Sequence, residues 1–167
     1  FYLNVSHSKA ILTLAQFYSK VEAIRGQLEQ PVQVLIARIA DELPLPLNLL
    51  YPLTKGGKRD KAPAGEYSLW YDMVRAGKDA ILPADDGKFD DCGAILYSGG
   101  TTGTTKGIQL SNLNFNALGM QTIAASGFGS VEGMKMLSVM PIFHGFGLGI
   151  GIHTALIGGA SCILIPQ

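Results

Sequence analysis

The sequence predicts an α/β fold in which helices flank a mainly parallel β-sheet. Short runs of apolar and β-branched residues alternate along the chain with segments of helical spacing, an order typical of parallel sheets. Charged residues make up only 16% of the 167 residues, against about 25% in typical domains. Strands buried on both faces are continuously apolar, so this composition favours a sheet that is covered on both sides.

The first 53 residues are interpreted as strand, helix and strand. Residues 9–14 form an apolar run, and residues 17–28 place Val21, Ile24 and Leu28 on one helical stripe. After Pro31, residues 32–37 predict the next strand. Residues 41–53 are left unassigned because their prolines disfavour both helix interiors and central strands.

Residues 54–66 are predicted to be a loop, since they are rich in Lys, Gly, Ala and Pro. Their basic cluster, residues 55–61, is interpreted as a solvated linker. Ser68 is predicted to cap a helix whose Leu69, Met73 and Val74 face the core. Residues 85–91 contain four aspartates but lack the ligand order of a calcium loop, so a solvated turn is favoured over a metal site.

Residues 97–107 carry the strongest chemical signal in the chain. They read Tyr-Ser-Gly-Gly-Thr-Thr-Gly-Thr-Thr-Lys-Gly and follow the apolar run 94–96. Glycines allow a ligand to approach the backbone, consecutive N–H groups attract anions, and hydroxyls and an ammonium donate to phosphate oxygens. The pattern indicates a phosphate-binding loop between two strands, with residues 107–110 as the second; the alternative is a surface turn with an incidental lysine.

A second motif lies in residues 135–147. An apolar strand breaks at Pro141 and is followed by His144 in a glycine-rich turn. Between the two motifs, Ser111 or Asn112 is predicted to cap a helix. His144 can be interpreted in two ways. It is either a residue that lines a ligand pocket, or a polar residue at the end of a strand whose hydrogen bonds are made within the protein.

Together these segments resemble the AMP-forming adenylate enzymes, which include acyl-CoA synthetases, luciferases and peptide-synthetase adenylation domains. The resemblance covers about residues 90–166 and is greatest to acyl-CoA ligases. Thr105 stands where the family usually has proline, and Asn112 where it often has histidine. The resemblance implies an ATP phosphate-binding set and an acyl-pocket set. The first set is Ser98, Gly99, Gly100, Thr101, Thr102, Gly103 and Lys106, and the second is His144, Phe146 and Gly147.

The resemblance also implies a two-step reaction. A carboxylate attacks ATP with Mg²⁺ to give an acyl-adenylate, and the thiol of coenzyme A then takes the acyl group. A fatty acid is expected from the apolar residues around Phe143, Phe146 and Leu148, whereas an amino or aryl acid stays open. A non-catalytic nucleotide-binding module is the alternative from another class.

The magnesium ligand and the catalytic lysine of such enzymes are expected beyond Gln167. We therefore expect a fragment of an AMP-binding N-terminal domain, inactive alone, with the C-terminal domain absent. Within it we distinguish a strand–helix segment 1–53, a loop 54–66, and a segment 67–167 that holds the phosphate loop and acyl pocket.

Several classes of protein are disfavoured. The net charge is zero, so the sequence lacks the excess of basic residues that is typical of nucleic-acid-binding proteins. Cys92 and Cys162 form no disulfide or zinc pattern, and a cytoplasmic location is expected.

Residues 136–167 carry no Asp, Glu, Lys or Arg, but proline, histidines and paired glycines divide them into strand 136–140, helix 146–156 and strand 160–165. A buried β-α-β unit is therefore favoured over a membrane-associated fragment; oligomerisation of the intact protein is left open.

Overall fold

The computed structural model describes residues 1–61, 63–98 and 105–165. The chain divides into two compact units, residues 1–83 and 84–167. Both units combine strands with helices, and parallel pairing predominates. The predicted α/β class is confirmed.

A three-stranded parallel sheet organises the first unit. Its strands are β1 (Ala10–Leu14), β2 (Gln33–Ala37) and β3 (Ser68–Leu69), in the order β1-β2-β3. The two strands predicted in this segment are thus confirmed. Parallel neighbours require a crossover, which α2 (Tyr18–Arg25) supplies between β1 and β2. This helix ends earlier than predicted, so Leu28 lies outside it.

The core of this unit lies between β2 and α2. Ile36 is fully buried, and Tyr18, Val21 and Val34 pack around it. The ring of Tyr18 also meets Tyr67 edge to face, with centroids 5.4 Å apart. The β-branched residues of β2 therefore fill the space beneath the crossover helix.

The first unit also contains several short helices. The α-helices are α1 (Tyr2–Val5), α3 (Leu47–Leu50), α4 (Lys55–Arg59) and α5 (Trp70–Ala76). Three 3₁₀ turns cover Ala15–Phe17, Ile39–Glu42 and Tyr51–Leu53. The segment left unassigned, 41–53, is thus built from single helical turns.

The loop predicted over 54–66 is wrong in part, because α4 lies inside it. Thr54 caps this helix by accepting a hydrogen bond from the Gly57 N–H at 3.0 Å. Asp60, in the middle of the supposed solvated linker, is only 7% exposed. Its carboxylate accepts hydrogen bonds from the backbone N–H groups of Ile39 and Ala40 at 2.9 and 2.8 Å. The basic cluster is therefore fastened to the preceding 3₁₀ turn.

Helix α5 also differs from its prediction. Ser68 belongs to β3 and does not cap the helix, and Leu69 occupies the N-cap position. Leu69 packs against the core as expected. Met73 and Val74, which were predicted to face inward, are 40% and 52% exposed. Pairing of Ser68 with β2 delays the start of the helix and turns these two residues outward.

The second unit begins with an antiparallel hairpin of β4 (Cys92–Ser98) and β5 (Lys106–Ser111). Helix α6 (Asn112–Ser126) follows directly. Strand β6 (Lys135–Ser138) then leads to a π-helix (Gly147–Thr154), to α7 (Ala155–Ile157) and to β7 (Ser161–Leu164). Strands β6 and β7 pair in parallel, which confirms the predicted strand-helix-strand unit. Among the described residues, no helix has both the length and the apolar character needed to span a membrane.

Candidate functional site

The paired strands β4 and β5 flank the segment in which the phosphate loop is predicted. Ser98, the last residue of β4, lies opposite Lys106, the first residue of β5. The two strands predicted on either side of the loop are therefore confirmed. Gly99, Gly100, Thr101, Thr102 and Gly103 lie outside the residues that the structure describes. The described part of the predicted phosphate site is thus its base, where one hydroxyl and one exposed ammonium belong to directly paired residues.

Gly107 allows an aromatic ring to lie across this base. A β-carbon at Gly107 would come within 3.0 Å of Tyr97 Cε1 and 3.2 Å of Ile95 Cγ2. A larger residue at position 107 would therefore require the Tyr97 and Ile95 side chains to shift. Gly107, the last residue of the motif, therefore leaves room for the side chains of Tyr97 and Ile95 on the neighbouring strand.

The start of α6 fixes the other end of the hairpin. Ser111 is the N-cap, and it forms a reciprocal capping box with Asn114. Asn112, which stands where the family often has histidine, donates its side-chain amide to the Lys88 carbonyl at 2.9 Å. The Asp91 carbonyl accepts a hydrogen bond from the Asn112 backbone N–H at 3.0 Å. The 85–91 segment is therefore a turn anchored to the first residue of α6.

His144 lies in the turn between β6 and the π-helix. Its backbone N–H donates to the Pro141 carbonyl at 3.1 Å, and its own carbonyl accepts from Leu148 N–H at 2.9 Å. Its Nδ1 accepts from the Phe146 N–H at 3.2 Å. The imidazole is exposed, and Nε2 makes no hydrogen bond to a described residue. His144 is thus held by three hydrogen bonds, two through its backbone and one through Nδ1.

The other two residues of the predicted acyl set differ in their surroundings. Phe146 is 52% exposed. Gly147 is buried, and a β-carbon there would overlap the Pro141 carbonyl. Phe146 is therefore available to a ligand, whereas Gly147 acts by letting the helix pack on the turn.

The structure brings the two motifs together within the second unit. A β-carbon at Gly145 would lie 3.3 Å from Leu96 Cδ1 on β4. Leu96 is two residues before Ser98, so the turn that carries His144 packs beside the strand that enters the phosphate loop. The sequence indicates both motifs, but it contains no pattern that predicts this contact.

An apolar groove of about 390 Å³ lies at the carboxyl ends of β6 and β7. It includes Phe143, as expected, but neither Phe146 nor Leu148 lines it. Its lining is Ser138, Val139, Met140, Pro141, Ile142, Phe143, Leu164 and Ile165. Ser138 was not predicted from the sequence; its hydroxyl is buried and has no hydrogen-bond partner among the described residues. A serine at the end of an apolar strand gives no signal of this in the sequence.

The remaining histidines and cysteines lie elsewhere. His153 shares a 3.0 Å hydrogen bond with Asn116 Oδ1 and meets the Phe115 ring edge to face, so it joins the π-helix to α6. Cys92 and Cys162 are free thiols. Over residues 1–61, 63–98 and 105–165, no three His, Cys, Asp or Glu side chains group as metal ligands.

Comparison with known proteins places the whole chain in one family. The model of the AMP-binding enzyme family matches residues 1–167. The long-chain-fatty-acid–CoA ligase of Bacillus subtilis (strain 168) is 31% identical over 170 residues, which cover 99% of this chain and 30% of that protein. The chain therefore spans about a third of the length of this curated relative.

Solved structures agree at the level of the fold. The crystal structure of the anthranilate CoA ligase AuaEII in complex with anthranoyl-AMP matches 99% of this chain and 27% of its own, with a TM-score of 0.76 and 22% identity. ATP-bound MatB from Rhodopseudomonas palustris matches the same shares with a TM-score of 0.66 and 22% identity. From the family match over its full length, supported by the 31% identical relative, we conclude that this chain belongs to the AMP-binding enzyme family.

Proposed function

We propose that this chain is part of an ATP-dependent acid–thiol ligase, which activates a carboxylate as acyl-AMP and transfers the acyl group to coenzyme A. The observation that carries the proposal is the pairing of Ser98 with Lys106 at the base of the Gly/Thr-rich loop. Membership of the AMP-binding family supports the same reading. Activation is needed because a free carboxylate is a poor acyl donor, whereas AMP is a good leaving group.

In this proposal the hairpin holds the phosphates of ATP. The Ser98 hydroxyl and the Lys106 ammonium approach from the two ends of the loop, and Gly99, Gly100, Thr101, Thr102 and Gly103 supply donors between them. Attack on the α-phosphate moves negative charge onto the departing pyrophosphate. Fixed donors that face developing charge stabilise it without reorganising. The proposed role of Lys106 is therefore to stabilise the pyrophosphate leaving group.

The acid is proposed to bind beside the turn that holds His144 and Phe146. The apolar groove at the ends of β6 and β7 favours an apolar acid, and the Bacillus subtilis relative is named for long-chain fatty acids. A fatty acid is thus the proposed substrate. Anthranilate, bound as its adenylate in one structural neighbour, is the aryl acid to test beside it.

Magnesium and coenzyme A enter the proposal through the family only. The described residues do not group any three acidic, histidine or cysteine side chains. The proposed magnesium ligand belongs to the rest of the enzyme, so we derive no step through the metal. We further propose that the chain is a segment of the N-terminal domain and that activity requires the rest of the enzyme. The two free thiols fit a reducing, cytoplasmic location.

The proposal predicts that Lys106→Ala slows adenylation far more than thioester formation. Loss of one preorganised donor typically costs on the order of 10²–10³ in rate. In the complete enzyme, carboxylate-dependent ATP–pyrophosphate exchange measures the first step, with palmitate, octanoate, anthranilate and an amino-acid panel as acids. Conversion of pre-formed palmitoyl-AMP with coenzyme A measures the second. Lys106→Arg should recover only part of the first step, because a planar guanidinium does not place its charge as a compact ammonium does.

Lys135→Ala is the matched control, since Lys135 is also an exposed lysine that begins a strand of the second unit. It should leave both half-reactions unchanged. Equal losses in both half-reactions of Lys106→Ala would instead assign Lys106 to the folding of the loop. No exchange with any acid in the wild-type enzyme would favour the non-catalytic nucleotide-binding module.

A further inference from the structure

The helix that follows His144 is a π-helix over Gly147–Thr154, eight residues long. Most π-helical segments are single turns inside α-helices, and they often occur at functional sites. Here the helix begins directly beside the proposed acyl-site residues. What holds the chain in this rarer form therefore bears on where those residues lie.

A hydroxyl of this helix makes a contact that suits the π form. Thr154 is 4% exposed, and its Oγ1 donates to the carbonyl of Gly149, five residues earlier, at 3.0 Å. In an α-helix a threonine hydroxyl bonds to the carbonyl three or four residues earlier. Thr122 in α6 shows that ordinary pattern, since it donates to the Leu118 carbonyl at 2.8 Å. The Thr154 contact is therefore matched to the wider turn of the π-helix.

Two further contacts fix the same turn against the sheet. The thiol of Cys162, on β7, donates to the Gly151 carbonyl at 3.0 Å. The Ser138 hydroxyl, at the end of β6, lies so close to Gly151 that a β-carbon there would overlap it. The carboxyl-terminal half of the π-helix is thus anchored to both strands. A change of helical form must then be taken up at its amino-terminal end.

That end is bonded to the proposed acyl site. Leu148 N–H donates to the His144 carbonyl at 2.9 Å, and Gly147 packs on the Pro141 carbonyl. A shift from π to α geometry would rotate and displace the first turn, and with it His144 and Phe146. A contact that one of two helical forms makes better biases the equilibrium between them.

We propose that Thr154 is a positioning residue, whose hydroxyl holds the π-helix and thereby sets the places of His144 and Phe146 in the acyl site. The acyl-site part rests on the proposed function. In this role the hydroxyl acts through the backbone of the helix and not by binding substrate. Thr154 lies outside both motifs.

Thr154→Val in the complete enzyme tests the inference, because it removes the donor and keeps the shape. We expect the KM for palmitate in the exchange assay to rise about three- to tenfold, the effect of one net hydrogen bond, with the KM for ATP within about twofold. Thr154→Ser keeps the hydroxyl and should restore the wild-type KM. Thr122→Val removes the equivalent hydroxyl bond from α6 and should leave both KM values unchanged.

Hydrogen–deuterium exchange without substrate separates this inference from the proposed function. Thr154→Val should speed amide exchange over residues 144–150, whereas Thr154→Ser and Thr122→Val should not. If the wild-type enzyme activates no acid, the proposed function fails, while the amide exchange still decides the role of Thr154 in the helix. Unchanged exchange over 144–150 in Thr154→Val, or an unchanged palmitate KM in an active enzyme, would overturn the inference.

Discussion

Removal of the Asp60 carboxylate should destabilise the first unit far more than removal of an exposed carboxylate of the same unit. The Asp60 side chain is the one acidic group within residues 55–61, and it is 7% exposed. It joins α4 to the 3₁₀ turn Ile39–Glu42 by accepting two backbone N–H groups at 2.9 and 2.8 Å. Asp60→Ala leaves both donors without this partner.

The size of the effect follows from these two bonds. A hydrogen bond to a charged group contributes about 1.5–3 kcal/mol net. Ile39 is 36% exposed, so water can replace part of the loss, and the lower end of the range applies. We therefore expect Asp60→Ala to lower the free energy of unfolding by about 3 kcal/mol. Asp60→Asn keeps one acceptor oxygen and should cost about half as much.

Urea unfolding followed by tryptophan fluorescence is the appropriate assay. The single tryptophan, Trp70, belongs to the same unit as Asp60, so it reports on that unit. With a urea m-value of about 2 kcal/mol/M, the midpoint of Asp60→Ala should fall by about 1.5 M. Asp79→Ala, at an exposed aspartate of the same unit, should stay within about 0.5 kcal/mol of wild type. Equal midpoints for Asp60→Ala and Asp79→Ala would show that the two hydrogen bonds contribute nothing net, and the reasoning would be refuted.

Two further predictions concern the second unit. In the complete enzyme, His144→Ala should raise the KM for the carboxylate on the order of tenfold, because one polar contact is lost, while the KM for ATP stays near wild type. Steady-state kinetics measure both values. A change in the KM for ATP alone would show that His144 is not part of the acyl site. Ser111→Ala should lower the free energy of unfolding of the second unit by about 1 kcal/mol through loss of the N-cap, and Ser111→Asp should restore it. Thermal unfolding monitored by circular dichroism measures both variants. Equal melting temperatures for Ser111→Ala and Ser111→Asp would contradict the capping role.

The parts of the fold that the sequence predicts well are those set by local pattern. The apolar runs of β1 and β2, the helix between them and the cap at Ser111 all depend on neighbours in the chain. Helix α4 was missed because Gly56 and Gly57 disfavour helix on their own. Its stability comes from Thr54 at one end and from Asp60, whose partners are some 20 residues earlier. Hydrogen bonds between residues so far apart in the chain produce no periodic pattern in the sequence.

In the candidate site, too, the features set by local pattern are predictable from the sequence, and those set by long-range packing are not. The strand–loop–strand pattern predicts that Ser98 and Lys106 face each other, because a hairpin pairs the residues on either side of its loop. The packing of Gly145 on Leu96 depends on how the turn after β6 meets the hairpin, and no single segment of the sequence predicts it. The difference between an α-helix and a π-helix after His144 is subtler still, because it depends on individual side-chain bonds such as that of Thr154.

The glycines of the apolar carboxyl-terminal third show why its hydropathy misleads. Gly147 and Gly151 have the spacing of a membrane helix-pairing motif, yet they lie against the Pro141 carbonyl and the Ser138 hydroxyl of their own unit. Gly149 faces α6, where a β-carbon would come within 2.7 Å of Leu118 Cδ2. A β-carbon at Gly119 of α6 would likewise come within 2.8 Å of Ile157 Cδ1. Each absent side chain thus makes room for a named neighbour. Close packing of the turn after β6, the π-helix and α6 therefore accounts for these glycines.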